Sequence, residues 1–229
     1  MPSTALCTQF KADLLNGAHC FGATMTPTIS STSSTSVTAV SSMSGIAVGM
    51  SVSGNASIPA NTVVARITSS TALTLSNATT GTITAAACTF AGDVFRMALI
   101  KVAPSGTWDA TATNYGSGSG APTTSNLGTD EVASGGGYTT GGLALTNVSA
   151  VTSGVTGYVT FSPDPSWSSA TFSTVAAMIY NASTVGRLGG VVNRAVSIHD
   201  FSGTQSVSAG VLTIVMPAAA AATAIIRLS

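Results

Sequence analysis

The side chains able to do acid–base, nucleophilic or metal chemistry are few here and poorly grouped. His19 and His199 are the only histidines and lie far apart in the chain. His199 is followed by Asp200, and on a strand neighbouring side chains point to opposite faces unless a bulge intervenes. Serines abound, but none sits in a GxSxG elbow between a strand and a helix. Glycoside chemistry needs two carboxylates meeting across a cleft. Of Asp13, Asp93, Asp109, Asp130, Glu131, Asp164 and Asp200, only Asp130 and Glu131 are adjacent. That pair can join loop carbonyls around Ca²⁺; the simpler expectation is a salt bridge to an arginine or a solvated loop end. Gly116–Gly120 reads GSGSG and lacks the lysine of a phosphate-binding loop. Cys7, Cys20 and Cys88 have no metal-ligand spacing, and their odd number leaves at least one unpaired within the chain, so they read as small buried apolar residues. No catalytic residue, cofactor or metal is expected, and the chain reads as a non-enzyme.

The rings offer another kind of site. Trp108, Tyr115, Tyr138, Tyr158, Trp167 and Tyr180 can form a sugar-binding platform, or serve as core and interface anchors. Asp109 beside Trp108 and Asp164 near Trp167 could bond a sugar, which keeps a carbohydrate-binding module as one alternative.

Composition narrows the partners. Hydrophobic residues make up 45% of the chain and charged residues 6%, with a formal net charge of zero; ordinary soluble domains carry about 25% charged residues. Solubility must rest on Ser, Thr, Asn and backbone groups, and neutrality favours association. A surface covered by copies or partners follows, with a Ser/Thr-coated monomer as the alternative. The cations Lys11, Arg66, Arg96, Lys101, Arg187, Arg194 and Arg227 are scattered singly, which argues against nucleic acid. The longest apolar run, Met216–Ile226, contains Pro217 and is too short for a membrane helix. Lys11 and Asp13 interrupt any signal-peptide pattern, so synthesis in the cytosol with reduced thiols is expected.

The elements that would position these residues are mostly short strands. Leu6, Phe10 and Leu14 recur at helical spacing and Asn16–Gly17 makes a stop, predicting one amphipathic helix over Ala5–Leu15 that docks on a sheet or a neighbouring subunit. From Ala23 the texture turns to Ser, Thr and small apolar residues. Candidate strands there are Ser36–Val40, Ala47–Val52, Thr62–Ile67, Ala72–Leu75 and Thr82–Cys88, separated by turn residues. Their β-branched alternation distinguishes them from a disordered linker. Asp93–Val102 resumes a host domain, and Pro104–Asp130 is a long loop anchored by Trp108 and Tyr115. Gly135–Gly142 is expected to turn Tyr138 into a packed site, with Leu143 and Leu145 entering the core. Further strands are Val155–Phe161, Thr171–Asn181, Val191–Ile198 after Gly189–Gly190, and Val211–Met216. Pro163–Trp167 is read as a turn, Ser206–Gly210 as a joint, and the alanine tract Ala218–Ala222 as a loop before a terminal strand.

The predicted class is all-β: an antiparallel β-sandwich of jelly-roll or Greek-key type with a short N-terminal helix and an inserted small β domain. The expected parts are residues 1–22 (helix and start of the host), 23–91 (inserted module) and 92–229 (remainder of the host).

Six segments, TQFKADLLNGAH (Thr8–His19), DVFRMALIK (Asp93–Lys101), EVASGGGYTTGGLALTN (Glu131–Asn147), WSSATF (Trp167–Phe172), AAMIYNAS (Ala176–Ser183) and PAAAAATAIIRLS (Pro217–Ser229), together resemble structural proteins encoded in the virion gene clusters of tailed bacteriophages. The likeness extends to capsid decoration, or cement, proteins. The module, through GMSVSG (Gly49–Gly54) and IPANTVVARIT (Ile58–Thr68), resembles small β repeats of other phage structural proteins. The resemblance implies a non-enzymatic protein on the capsid surface, made in the bacterial cytoplasm, binding the major capsid protein and neighbouring copies. A tail-associated or head-fibre role is the alternative, and the module could project outward or reach a neighbour. Phe10, Leu14, Trp108, Tyr115, Tyr138 and Trp167 are the interface candidates; no nucleic acid or membrane partner is implied.

Overall fold

A computed structural model describes residues 1–183 and 192–228. The fold is all-β, with several antiparallel sheets and one short α-helix. The chain gathers into two compact units: Met1–His19, Val94–Thr146 and the described residues from Val151 on form the first, and Cys20–Asp93 with Asn147–Ala150 the second. Gly189, Gly190 and Val191, expected to lead into a strand, lie outside the described residues.

The N-terminal helix starts later than its periodicity predicts. Strand β1 (Ala5–Leu6) pairs with Ile198 and Ser197, and α1 spans only Thr8–Leu15. Cys7 is extended and donates its N–H to Val196 O at 3.0 Å, so these residues take ladder partners instead of starting a helical turn. A first helical turn is costly to nucleate, and a waiting strand edge outcompetes it. Asn16 caps the helix, and Gly17 adopts φ +70° just beyond.

The second unit contains β2 (Thr28–Thr32), β3 (Ser36–Val40), β4 (Ser51–Ser53), β5 (Val64–Ile67), β6 (Leu73–Leu75), β7 (Thr82–Ala87) and β8 (Thr89–Ala91). They form a sheet in the order β5-β6-β3-β2-β7 and a β4-β8 pair. Ile29, Val37, Met50, Val64, Leu73 and Phe90 are prominent in a core without a charged side chain. Most of the predicted Ala47–Val52 strand is a turn instead, because Gly49 and Met50 donate to Val64 O and Ala47 O.

In the first unit, β9 (Phe95–Lys101), β10 (Leu143–Leu145), β11 (Val151–Ser153), β12 (Thr156–Val159), β13 (Ser166–Asn181), β14 (Arg194–Thr213) and β15 (Ile226–Leu228) complete the set. The main sheet runs β1-β14-β13-β9-β10, and β11-β12-β15 makes a second. Ala98, Leu99, Ile100 and Ala176 through Ile179 are all fully buried, so the middle of this sheet is covered on both faces. The two strands expected on either side of Ser206–Gly210 are one 20-residue strand, and Ser166–Trp167 belong to its partner instead of a turn. Ladder bonds to β13 hold the Ser/Gly stretch extended, and its turn-forming residues are absorbed as bulges. The largest sets Phe201–Thr204 against Val175 alone, with Ser202 and Gly203 at positive φ. The alanine tract is turn and coil ahead of β15.

Candidate functional site

Glu131 lies just past a 3₁₀ turn, Gly128–Asp130, and the residue is only 6% exposed. Oε2 accepts the Tyr115 hydroxyl at 2.6 Å; Oε1 accepts the Tyr138 hydroxyl and the Gly141 N–H, each at 2.6 Å. Tyr138 Oη in turn accepts the Leu99 N–H at 3.0 Å. Tyr180 stacks on Tyr115 with centroids 4.3 Å apart and donates to Gly141 O at 2.8 Å, which Arg96 Nε also reaches. Burial pushes the Glu131 carboxyl up despite these donors, and burial first, then Glu131, pushes the Tyr115 and Tyr138 hydroxyls well up.

Gly136, Gly137 and Gly142 are required by close backbone approach. A Cβ on Gly142 would sit 1.8 Å from Met97 O, and one on Gly136 would sit 2.4 Å from Thr171 O. Gly136 O accepts the Thr171 N–H at 2.8 Å, which docks the loop on β13. Tyr138 then lies beneath that strand, 6.2 Å from the Trp167 ring and 5.7 Å from Phe172.

Asp130 is fully buried and holds the long loop. Its carboxylate accepts the Ser105 and Gly106 N–H groups at 2.9 and 2.7 Å and Trp108 Nε1–H at 2.9 Å, with Lys101 Nζ at 3.3 Å. Burial raises its pKa, but the Ser105, Gly106 and Trp108 donors outweigh that and hold it below the usual carboxylate range. The expectation of a solvated end or arginine partner for this acidic pair is corrected: both acids are interior, and Asp130 pairs with a lysine. The carboxylates are engaged by N–H and O–H donors, which a Ca²⁺ ion would have to displace. Among the described residues no cluster of three potential metal ligands occurs. The three cysteines are free and buried, and burial, with Asp109, pushes the Cys7 thiol up to about 12.

The interface candidates therefore turn inward. Phe10, Trp108, Tyr115, Tyr138 and Trp167 are each at most 5% exposed, and Leu14 is half-buried. Tyr115 and Tyr138 meet on Glu131, Trp167 packs on Tyr138, and Trp108 joins Asp130. Phe10 packs separately on His19, with centroids 4.9 Å apart. Neither indole offers a face to a sugar ring. On the helix, the exposed large apolar residue is Leu15, at 87%. The sequence singled out the rings but missed Glu131 as their hub; its signal was an acid seven residues ahead of Tyr138 in a glycine-rich run.

His199 and Ser197 line a cleft of about 470 Å³ with Thr4, Thr156 and Arg227. Ser197 Oγ is 2.9 Å from His199 Nε2, and burial lowers the His199 pKa to about 4, so the ring is neutral near pH 7. No carboxylate among the described residues bonds the other ring nitrogen. The arrangement is a hydroxyl–imidazole pair without the third group that orients a catalytic base.

Comparison with protein-family models, curated proteins and solved structures finds no match to this chain.

Proposed function

We propose that this is a non-enzymatic structural protein of a tailed-phage head, a decoration protein that binds the shell of major capsid protein across capsomer junctions. The observation carrying this reading is where the charge goes. Asp13, Asp130 and Glu131 are buried and committed to internal partners: Arg194 for Asp13, the loop donors for Asp130 and the tyrosines for Glu131. What remains outside is a Ser/Thr-rich surface with single charges such as Lys11, Arg66, Asp164 and Arg227 and with exposed valines, suited to repeated modest contacts on a lattice. Such contacts add binding free energy that empty sites lack and slow dissociation through multivalency. The larger unit is assigned to the Greek-key or jelly-roll type of sandwich. Support comes from pairings between strands distant in sequence, β1 with β14, β9 with β13 and β12 with β15.

Purified heads test the proposal. Many copies distributed over the head, with saturable rebinding to stripped shells, are the expected result. A ring-like stoichiometry below the portal would instead assign the protein to the tail, and absence from particles would overturn the proposal.

A further inference from the structure

We propose that two copies of this chain join through the outer edge of Val211–Val215, the last three residues of β14 and the two that follow it, antiparallel about a two-fold axis at Thr213. The proposal stands apart from the decoration reading and requires no shell.

One side of β14 pairs with β13, apart from the bulges. On the other, β1 covers only Ser197 and Ile198. Among the described residues, no strand or backbone hydrogen bond occupies the outer side of Val211–Val215. The inward bonds identify which groups are left over. Ile214 N–H reaches Pro165 O at 3.0 Å, and Met216 N–H reaches Asp164 Oδ1 at 2.8 Å. Successive peptide groups in a strand point to opposite sides, so those of Val211, Thr213 and Val215 point outward. The hydroxyl pair Ser166–Thr213, at 2.9 Å, fits that assignment, since side chains come closest where the facing backbone groups are not bonded to each other.

Exposed edges are usually blunted by charge, proline or a bulge. Phe201–Met216 contains no charged residue and no proline, and the register shift at Val211, where Ser168 and Ser169 oppose it, puts the extra residue on β13 and not on this edge. Val211 and Val215 are 64% and 77% exposed, the former well above the exposure of its neighbour Leu212.

A second copy is the occupant that fits. An uncharged edge gains nothing from a charged partner strand and meets no repulsion from itself. A two-fold at Thr213 sets Val211 of each copy opposite Val215 of the other and Thr213 opposite Thr213, so apolar side chains meet apolar ones. Every outward N–H then finds a carbonyl, as an isologous interface requires. A ladder this short buries less than the roughly 1,200 Å² of a standard stable interface, so a dimer dissociating in the micromolar range, about 1–100 µM, is expected.

Sedimentation equilibrium of the full chain, with amide hydrogen exchange, tests this. Wild type is expected to dimerise with a two-fold pattern in which the Val211, Thr213 and Val215 amides gain protection as concentration rises, while Ile214 is protected throughout. Val211→Lys sets a charge against the apolar Val215 of the other copy at both ends of the ladder and should weaken the dimer about tenfold or more, with an unchanged circular dichroism spectrum. A wild type still monomeric at about 500 µM, or a dimer without protection at those three amides, overturns the proposal. So does a folded Val211→Lys variant of unchanged affinity. If that variant fails to fold, the wild-type amide protection decides alone.

Discussion

Along the β13–β14 hairpin, the inner half pairs Ala176–Asn181 with Arg194–Asp200, whereas the outer half pairs Ser166–Thr174 with Gln205–Thr213. Beside the inner half lie β9 and β1, and its residues from Ala176 to Ile179 are fully buried. The outer half is buried on one face only, at Trp167, Ala170 and Thr174. Beneath it stands Tyr138, held by Glu131, and the Gly136 loop docks at Thr171. One continuous ladder thus rests on two kinds of support. Apolar burial on both faces holds the inner half, and a carboxylate-anchored aromatic post holds the outer.

Removing the post should have the largest effect. Glu131→Ala leaves two buried hydroxyls and the Gly141 N–H without their acceptor, and charged hydrogen bonds contribute about 1.5–3 kcal/mol each. A loss of about 3–5 kcal/mol in denaturant unfolding is expected, with hydrogen exchange rising first at Ser166–Thr174. Uniform loss along the whole hairpin would show that the halves are not separately supported.

Ile179→Ala opens a cavity in the inner half and should cost about 2–4 kcal/mol, measured the same way. Amide protection in the outer half should change less than in the inner.

Near neutral pH the smallest effect is that of His199, a pH dependence belonging to the inner half that grows only on acidification. Burial lowers the His199 pKa from its ordinary 6.5 to about 4. Above pH 6.5 neither folded nor unfolded chain binds the proton, so His199 leaves stability unchanged. Between pH 6.5 and 4 only the unfolded chain does, and stability falls as pH falls, with a slope approaching about 1.4 kcal/mol per pH unit. His199→Gln should flatten that part of the stability profile, and an unchanged slope would place the titration elsewhere.

Much of the β architecture was legible in the chain. Alternation in Ser36–Val40 and Thr82–Ala87, the Asn16–Gly17 stop and the Pro217 break each express a preference of the backbone at that position, which neighbouring residues suffice to set. The site was less legible. Glu131 was visible as an acid, but its three donors come from Tyr115, Tyr138 and Gly141 on both sides of it in the chain, and no spacing rule joins them. The rings were left open between a sugar platform and core or interface anchors because an aromatic's type does not tell which of its faces a distant strand covers.

The sequence alone determined a nearly charge-free chain of short alternating segments punctuated by Gly, Asn and Pro, and with it the all-β class, since those properties are local. Tertiary structure alone decided that Asp130 and Glu131 are interior, that Ser206–Gly210 continues a strand, and that Val211–Val215 keeps an open edge. Each of those depends on which backbone and side-chain groups far along the chain arrive to supply, or fail to supply, a hydrogen-bond partner.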